Sequence, residues 1–281
     1  MRDFLELAVS ATASGCVYGL IALAYLLMIR PTGIINFAVG EWAMVAAFGG
    51  YVFLTKYELH YLLGMGIVLA FMLVVGWVSE RIAVRPLVEK GTAILAPILA
   101  LLGVLVITRE IISISFPPDP LPVPYPFELQ HQKYFIIGVT AVVFLGFWAF
   151  FEKTLWGKSF EAVALNRRAA ALMGINLSRV TVFSFAGGAA VAGLGGLLVS
   201  PNISAHYLMG VPLAIQGFTA LVIGGVGRVE GALIGGLLLA FAEQLTIRYA
   251  PIPSGFAQGV PLLFLMIFLI VRPTGLLRAR A

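Results

Sequence analysis

The sequence predicts an all-α polytopic membrane protein with eight to nine transmembrane helices, and three observations carry that reading. Of its 281 residues, 60% are hydrophobic and 11% charged, where an ordinary soluble domain has about 25% charged residues. Several apolar runs reach the roughly 17–25 residues that a helix needs to cross a hydrocarbon core. None of them alternates as a lipid-facing strand does, so helices rather than a barrel satisfy the backbone.

The first run, 7–29, is too long for a signal-peptide core and no cleavage pattern follows it, so it reads as a retained span. Further spans are predicted at 36–54, 61–78, 92–113, 134–151, 180–200, 231–250 and 255–271. A shorter run, 211–227, is either a ninth span or half of a re-entrant hairpin, which leaves 211–250 open between the two. The proline-dense stretch 116–133, FPPDPLPVPYPFELQHQK, predicts an extended strap, either a connector or a landing surface for an external partner. IRPTGII at 29–35 and VRPTGLL at 271–277 read as helix exits: arginine reaches the interface, proline cannot continue the helix, and glycine permits the turn. Gly15 with Gly19, and Gly231 with Gly235, have the four-residue spacing that lets membrane helices approach closely. No soluble domain is evident, so 1–281 reads as a single transmembrane domain.

Basic residues set the expected orientation. With nine crossings, one side holds Arg30, Arg81, Arg85, Lys90, Lys153, Lys158, Arg167, Arg168, Arg179, Arg228, Arg272, Arg278 and Arg280. The other side holds Arg2, Lys56, Arg109, Lys133 and Arg248. The richer side is expected in the cytoplasm, with the N-terminus outside and the C-terminus inside. The net charge of +5 then reflects topology and is not a nucleic-acid footprint.

Catalytic chemistry lacks its parts. Gly157-Lys158-Ser159 resembles the end of a phosphate-binding P-loop, but Glu152 stands where that motif needs glycine and an apolar span precedes it in place of a strand. If ATP drives the protein, another polypeptide binds it. His60, His131 and His206 fall in outer loops or at their edges, and no His/Glu pair has metal-ligand spacing. Cys16 is the only cysteine and reads as a small buried apolar residue. Polar residues near membrane depth are few: Asn36 and Glu41 within NFAVGE, Arg109 and Glu110, Gln216 and Thr219, Glu243 and Gln244. Each is either an inter-helix hydrogen bond or part of a pathway. Arg109 and Glu110, adjacent on one helix, are expected to have separate partners. Asn36, Glu41, Gln216 and Thr219 are the candidate pathway residues.

The stretch GKSFEAVALNRRAAALMGIN, 157–176, stands apart as a charged, helix-forming segment between apolar runs. Its spacing predicts a helix over 158–165 with Phe160, Val163 and Ala164 on one side, then Asn166 as N-cap, a second helix over 167–173 and Gly174 closing it. Arg167 and Arg168 then sit where the helix dipole disfavours cations. That local conflict points to an acidic partner surface or lipid phosphate outside the segment, which is then either a cytoplasmic docking element or a solvated or lipid-facing loop.

With YGLIALAY (18–25), GIINFAVGE (33–41), ERIAVRPL (80–87), the 157–176 stretch, 218–243 and RPTGLL (272–277), the chain resembles the shorter permease of branched-chain amino acid ABC importers. That resemblance implies a fold similar to the vitamin-B12-type importer permeases, with 152–179 as a cytoplasmic coupling loop. It implies coupling through Arg167, Arg168, Ala170, Ala171 and Gly174, and no bound cofactor. ATP and Mg would be used by two cytoplasmic ATPase subunits, beside a second homologous permease, an external substrate-binding protein and the lipid of a bacterial inner membrane. Against the family pattern the chain carries Val39 in NFAVGE, and Arg228 and Glu230 in GGVGRVEGA. The family serves branched-chain amino acids, urea, short amides and carboxylates, so the cargo stays open. The other reading is a self-contained secondary transporter or channel for a small solute.

Overall fold

An apolar run in lipid must satisfy its own backbone, and helix is nearly all that the structure contains. The computed structural model describes residues 2–126, 129–249, 259–272 and 275–277. In chain order the helices are α1 (Arg2–Thr32), α2 (Val39–Gly50), α3 (Tyr61–Ser79), α4 (Arg85–Glu89), α5 (Leu95–Ser115), α6 (Leu129–Lys153), α7 (Leu155–Leu165), α8 (Arg167–Leu172), α9 (Leu177–Ile203), α10 (Gly210–Gly224), α11 (Val229–Tyr249) and α12 (Val260–Val271). A π-helix, Tyr51–Lys56, prolongs α2, and a π-helical turn, Glu80–Val84, joins α3 to α4.

Among the described residues, six stretches are long and apolar enough to cross a membrane: Leu5–Thr32, Tyr61–Glu89, Leu95–Ser115, His131–Lys153, Leu177–Ile203 and Val229–Tyr249. α10 and α12 are apolar but have only 15 and 12 residues. Those lengths give about 22 and 18 Å of helix, less than a hydrocarbon core of about 30 Å. The run expected at 36–54 is found as α2 with its π-helical extension. Of the run expected at 255–271, residues 255–258 lie outside the described residues, as do Arg278 and Arg280.

α1 packs against α9, α10 and α11, while α2 lies among α9, α3 and α10. Within its apolar window α1 is 78% buried, whereas α5 is 11% and α6 22% buried. α5 and α6 therefore turn most of their side chains outward, as lipid-facing or partner-facing helices do. Glycines set the closest approaches. A Cβ at Gly196 of α9 would lie 2.0 Å from the Ala43 carbonyl oxygen of α2, and one at Gly235 of α11 would lie 1.9 Å from that of Ala220 in α10. The two spaced pairs serve different neighbours: Gly15 and Gly19 meet α11, while Gly231 and Gly235 meet α10.

Both RPTG exits turn through a left-handed glycine, Gly33 at φ +70° and Gly275 at φ +74°. The second exit then returns to the bundle, where the backbone N–H groups of Leu276 and Leu277 donate to Ile223 and Gly224 at 2.9 and 3.0 Å. The strap expected at 116–133 is irregular with bends over 116–126 and already helical from Leu129, where α6 begins; Leu121 and Ala205 exchange backbone hydrogen bonds at 2.8 and 2.9 Å.

Candidate functional site

Local chemistry builds the α7–α8 segment almost without help from the rest of the chain. The Thr154 hydroxyl caps α7 by accepting from Gly157 N at 3.0 Å. Phe160 and Val163 are buried, and Phe160 packs edge-on against Phe151 of α6 at 5.2 Å between centroids. The Asn166 side chain caps α8, accepting from Arg168 N and Ala169 N at 3.1 and 3.0 Å. Gly174, at φ +82°, ends the helix, with its N–H on the Ala171 carbonyl and the Ile175 N–H on that of Ala170. Asn176 then caps α9 through Arg179 N. One asparagine cap and one left-handed glycine thus bound α8 as a short knob, and a second asparagine restarts the chain as α9.

The five residues singled out in α8 and its exit divide between two faces. Arg168, Ala171 and Gly174 are exposed, whereas Ala170 is buried and Arg167 half-buried. Arg167 donates to the Pro31 carbonyl at 3.3 Å, tying α8 to the end of α1. Burial lowers its pKa from the ordinary arginine value. The outward face also carries Leu172 and Met173, 90% and 83% exposed. Sequence reasoning passed over these two because apolar residues are ordinarily assigned to the core. Their position beside the closing glycine, on a polar segment, was the available signal.

The GKS tripeptide is part of α7, directly after α6, and Lys158 faces Glu152 and Glu161 at 3.6 Å each.

Within the bundle the four candidate pathway residues occupy three places. Asn36 is fully buried in the α1–α2 turn, where its Oδ1 accepts from Ala38 N at 2.9 Å. Glu41 on α2 is 1% exposed and pairs with Arg109 of α5. The second Glu41 oxygen and Arg109 Nε have no hydrogen-bond partner among the described residues. Gln216 of α10 lies beside Tyr18 of α1 and Glu243 of α11, where the Tyr18 hydroxyl donates to the Glu243 carboxylate at 2.8 Å. Thr219, one turn further along α10, is buried and its hydroxyl has no hydrogen-bond partner among the described residues. Glu110, next to Arg109 on α5, is exposed, whereas Arg109 pairs with Glu41.

Comparison with known proteins agrees with this architecture. The family described as "Branched-chain amino acid transport system / permease component" matches residues 7–271. The high-affinity branched-chain amino acid transport system permease protein LivH of Escherichia coli K12 is 29% identical over 98% of this chain and 95% of its own. BraD, the corresponding permease protein of Pseudomonas aeruginosa, is 28% identical over the same shares. A solved structure, PsaBC from Streptococcus pneumoniae in complex with Fab, superposes with a TM-score of 0.52 at 12% identity, covering 94% of this chain and 91% of that one. That likeness concerns the fold alone. A bundle of apolar helices that carries the permease sequence pattern from end to end is a multi-pass membrane permease. The chain belongs to the branched-chain amino acid transport system permease family.

Proposed function

We propose that the chain is the transmembrane permease subunit of an ATP-driven importer. It moves a small polar solute, a branched-chain amino acid or a related amide, urea or carboxylate, inward by alternating access. The observation that carries this reading is the outward face of α8, where Arg168, Ala171, Leu172 and Met173 project from a capped knob. Exposed leucine and methionine at the end of a rigid element suit a groove in another protein, here a cytoplasmic ATPase subunit. Two such subunits hydrolyse ATP with Mg, a second homologous permease completes the membrane part, and an external binding protein delivers the solute.

Segment 152–179 is the coupling loop. Arg168 and Ala171 meet the ATPase, Gly174 allows the turn that closes the knob, and Arg167 and Ala170 fasten α8 to the body so that its displacement reaches α1. The excess of Lys and Arg on the α8 side supports a cytoplasmic loop, with the N-terminus outside and the C-terminus inside. Counting α2, α10 and α12 with the six long stretches gives nine spans, the upper figure of the eight to nine expected, in a vitamin-B12-type arrangement. Asn36, Glu41, Gln216 and Thr219 belong to the translocation pathway.

Co-expression tests the reading. A tag on this chain retains an ATPase subunit, and proteoliposomes of the complex accumulate solute only when ATP is supplied. Accumulation driven by an ion gradient, with no ATPase present, excludes it.

A further inference from the structure

An apolar groove of about 480 Å³ lies between α2 with its π-helical extension, α3 and α5. Val45 and Phe53 line one wall, Phe71 and Val75 the second, and Ile111 and Ile112 the third. Its origin is the way α5 is held. α5 reaches the body through α2 and through the turn that follows α3. Arg109 pairs with Glu41, and Phe116, at the end of α5, packs on Phe48 at 4.7 Å between ring centroids. Both contacts draw α5 toward α2 and leave a gap on its α3 side.

The place of the groove says what fills it. Its α3 and α5 walls belong to stretches of spanning length, and Ile67, Phe71 and Ile111 at its rim are exposed. The medium at that depth is hydrocarbon. A helix is about 10–12 Å across, and a groove of this volume has no room for one, whereas a single file of methylenes fits. One end of the groove carries charge. Val52 and Phe53 line that end, and Lys56 follows one turn after Val52. Lys56 is exposed and forms no ion pair among the described residues, although Glu58 is two residues along. Tyr57, also exposed, stacks on Phe53 at 6.2 Å between centroids. A tyrosine and a lysine at the end of an apolar surface mark the headgroup level of a bilayer.

We infer that this groove binds one acyl chain of a phospholipid whose phosphate lies on Lys56. The chain runs beside the Glu41–Arg109 pair, since Val45 stands one turn from Glu41 and Ile112 one turn from Arg109. Hydrocarbon there fills the gap between α3 and α5 and keeps water from the pair. The site requires that the chain lie in a membrane and does not depend on how transport is driven.

Native mass spectrometry of the full-length chain, released from dodecyl maltoside micelles, tests the site. The probes are dioleoylphosphatidylglycerol and dioleoylglycerol, which has the same chains and no phosphate. One phosphatidylglycerol is expected to remain on each protein chain, with dioleoylglycerol at least about tenfold weaker. Lys56→Gln weakens retention about tenfold, the loss of one charge-assisted hydrogen bond, and Lys56→Arg restores it. Ile111→Trp fills the groove and also weakens retention at least about tenfold, whereas Ile114→Trp, on the same helix but outside the groove, leaves it unchanged. If Ile111→Trp lowers the unfolding midpoint, Lys56→Gln, on an exposed side chain, decides the matter. Equal retention of the two lipids, equal retention by Lys56→Gln, or equal effects of the two tryptophans overturns the site. Loss of the lipid from the assembled transporter, while the isolated chain still binds it, gives the groove to a partner's side chain and overturns it too. None of those outcomes touches the permease assignment, which stands or falls on retention of the ATPase.

Discussion

Replacing Ala171 by glutamate abolishes solute uptake and leaves the protein at its normal level in the membrane. Ala171 is exposed on α8 and its methyl group makes no polar bond, so the fold has little reason to respond. Surface substitutions of this kind usually stay within about 0.5 kcal/mol. In a docked complex the same carboxylate sits beside Leu172 and Met173 inside the ATPase groove. There an unpaired charge costs about 3–5 kcal/mol, a loss of at least about 100-fold in association. Uptake assays with immunoblotting of the membrane fraction separate the two effects. Ala170→Glu is the contrasting variant: its position is only 3% exposed, so the charge enters the body of the protein and the amount of folded chain falls. Normal uptake by Ala171→Glu contradicts the docking role.

The second large effect concerns the pair that ties α5 to α2. Arg109→Leu leaves Glu41, 1% exposed, as an uncompensated carboxylate within the bundle. Breaking one side of a buried pair costs about 3–5 kcal/mol, a large share of a total stability of about 5–15 kcal/mol. The variant is expected to accumulate poorly and to unfold at a lower temperature in detergent. Glu41→Leu combined with Arg109→Leu removes both charges and recovers most of the loss, because two apolar residues can replace a buried pair at little cost. If the double variant is as unstable as the sum of the single ones, the two residues are not coupled. α5 makes this pair informative: with 11% of its apolar window buried, it has few other attachments to the body.

The six long stretches were legible because each is a continuous apolar run of spanning length, a property local to the sequence. The α7–α8 segment was legible for the same reason. Asn166, Gly174 and the Phe160–Val163 face act within a few residues, so cap and face could be read directly. The closing of both RPTG turns by glycine is another local property. Partners were not legible. Apolar spacing identifies the face that Gly231 and Gly235 present, but not that α10 lies against it, with Ala220 and Gly224 in contact. Glu41 and Arg109 stood out as polar residues in apolar runs, but they are 68 residues apart and nothing local joins them. Tyr18 attracted no attention as a polar residue because its ring fits an apolar helix, and only the bundle brings its hydroxyl to Glu243. The division of Arg167 from Arg168, one turned toward Pro31 and the other toward solvent, likewise depends on where α1 ends.

The central claim is that force enters this chain from a separate ATPase through α8 on the cytoplasmic side. Ala171→Cys tests it most directly, because Cys16, the native thiol, is buried and a maleimide then reports position 171. The account predicts that a membrane-impermeant maleimide leaves this cysteine unlabelled in intact cells and labels it in inverted vesicles stripped of ATPase. Adding the ATPase back protects it. Labelling in intact cells, or labelling in inverted vesicles that the ATPase does not alter, contradicts it.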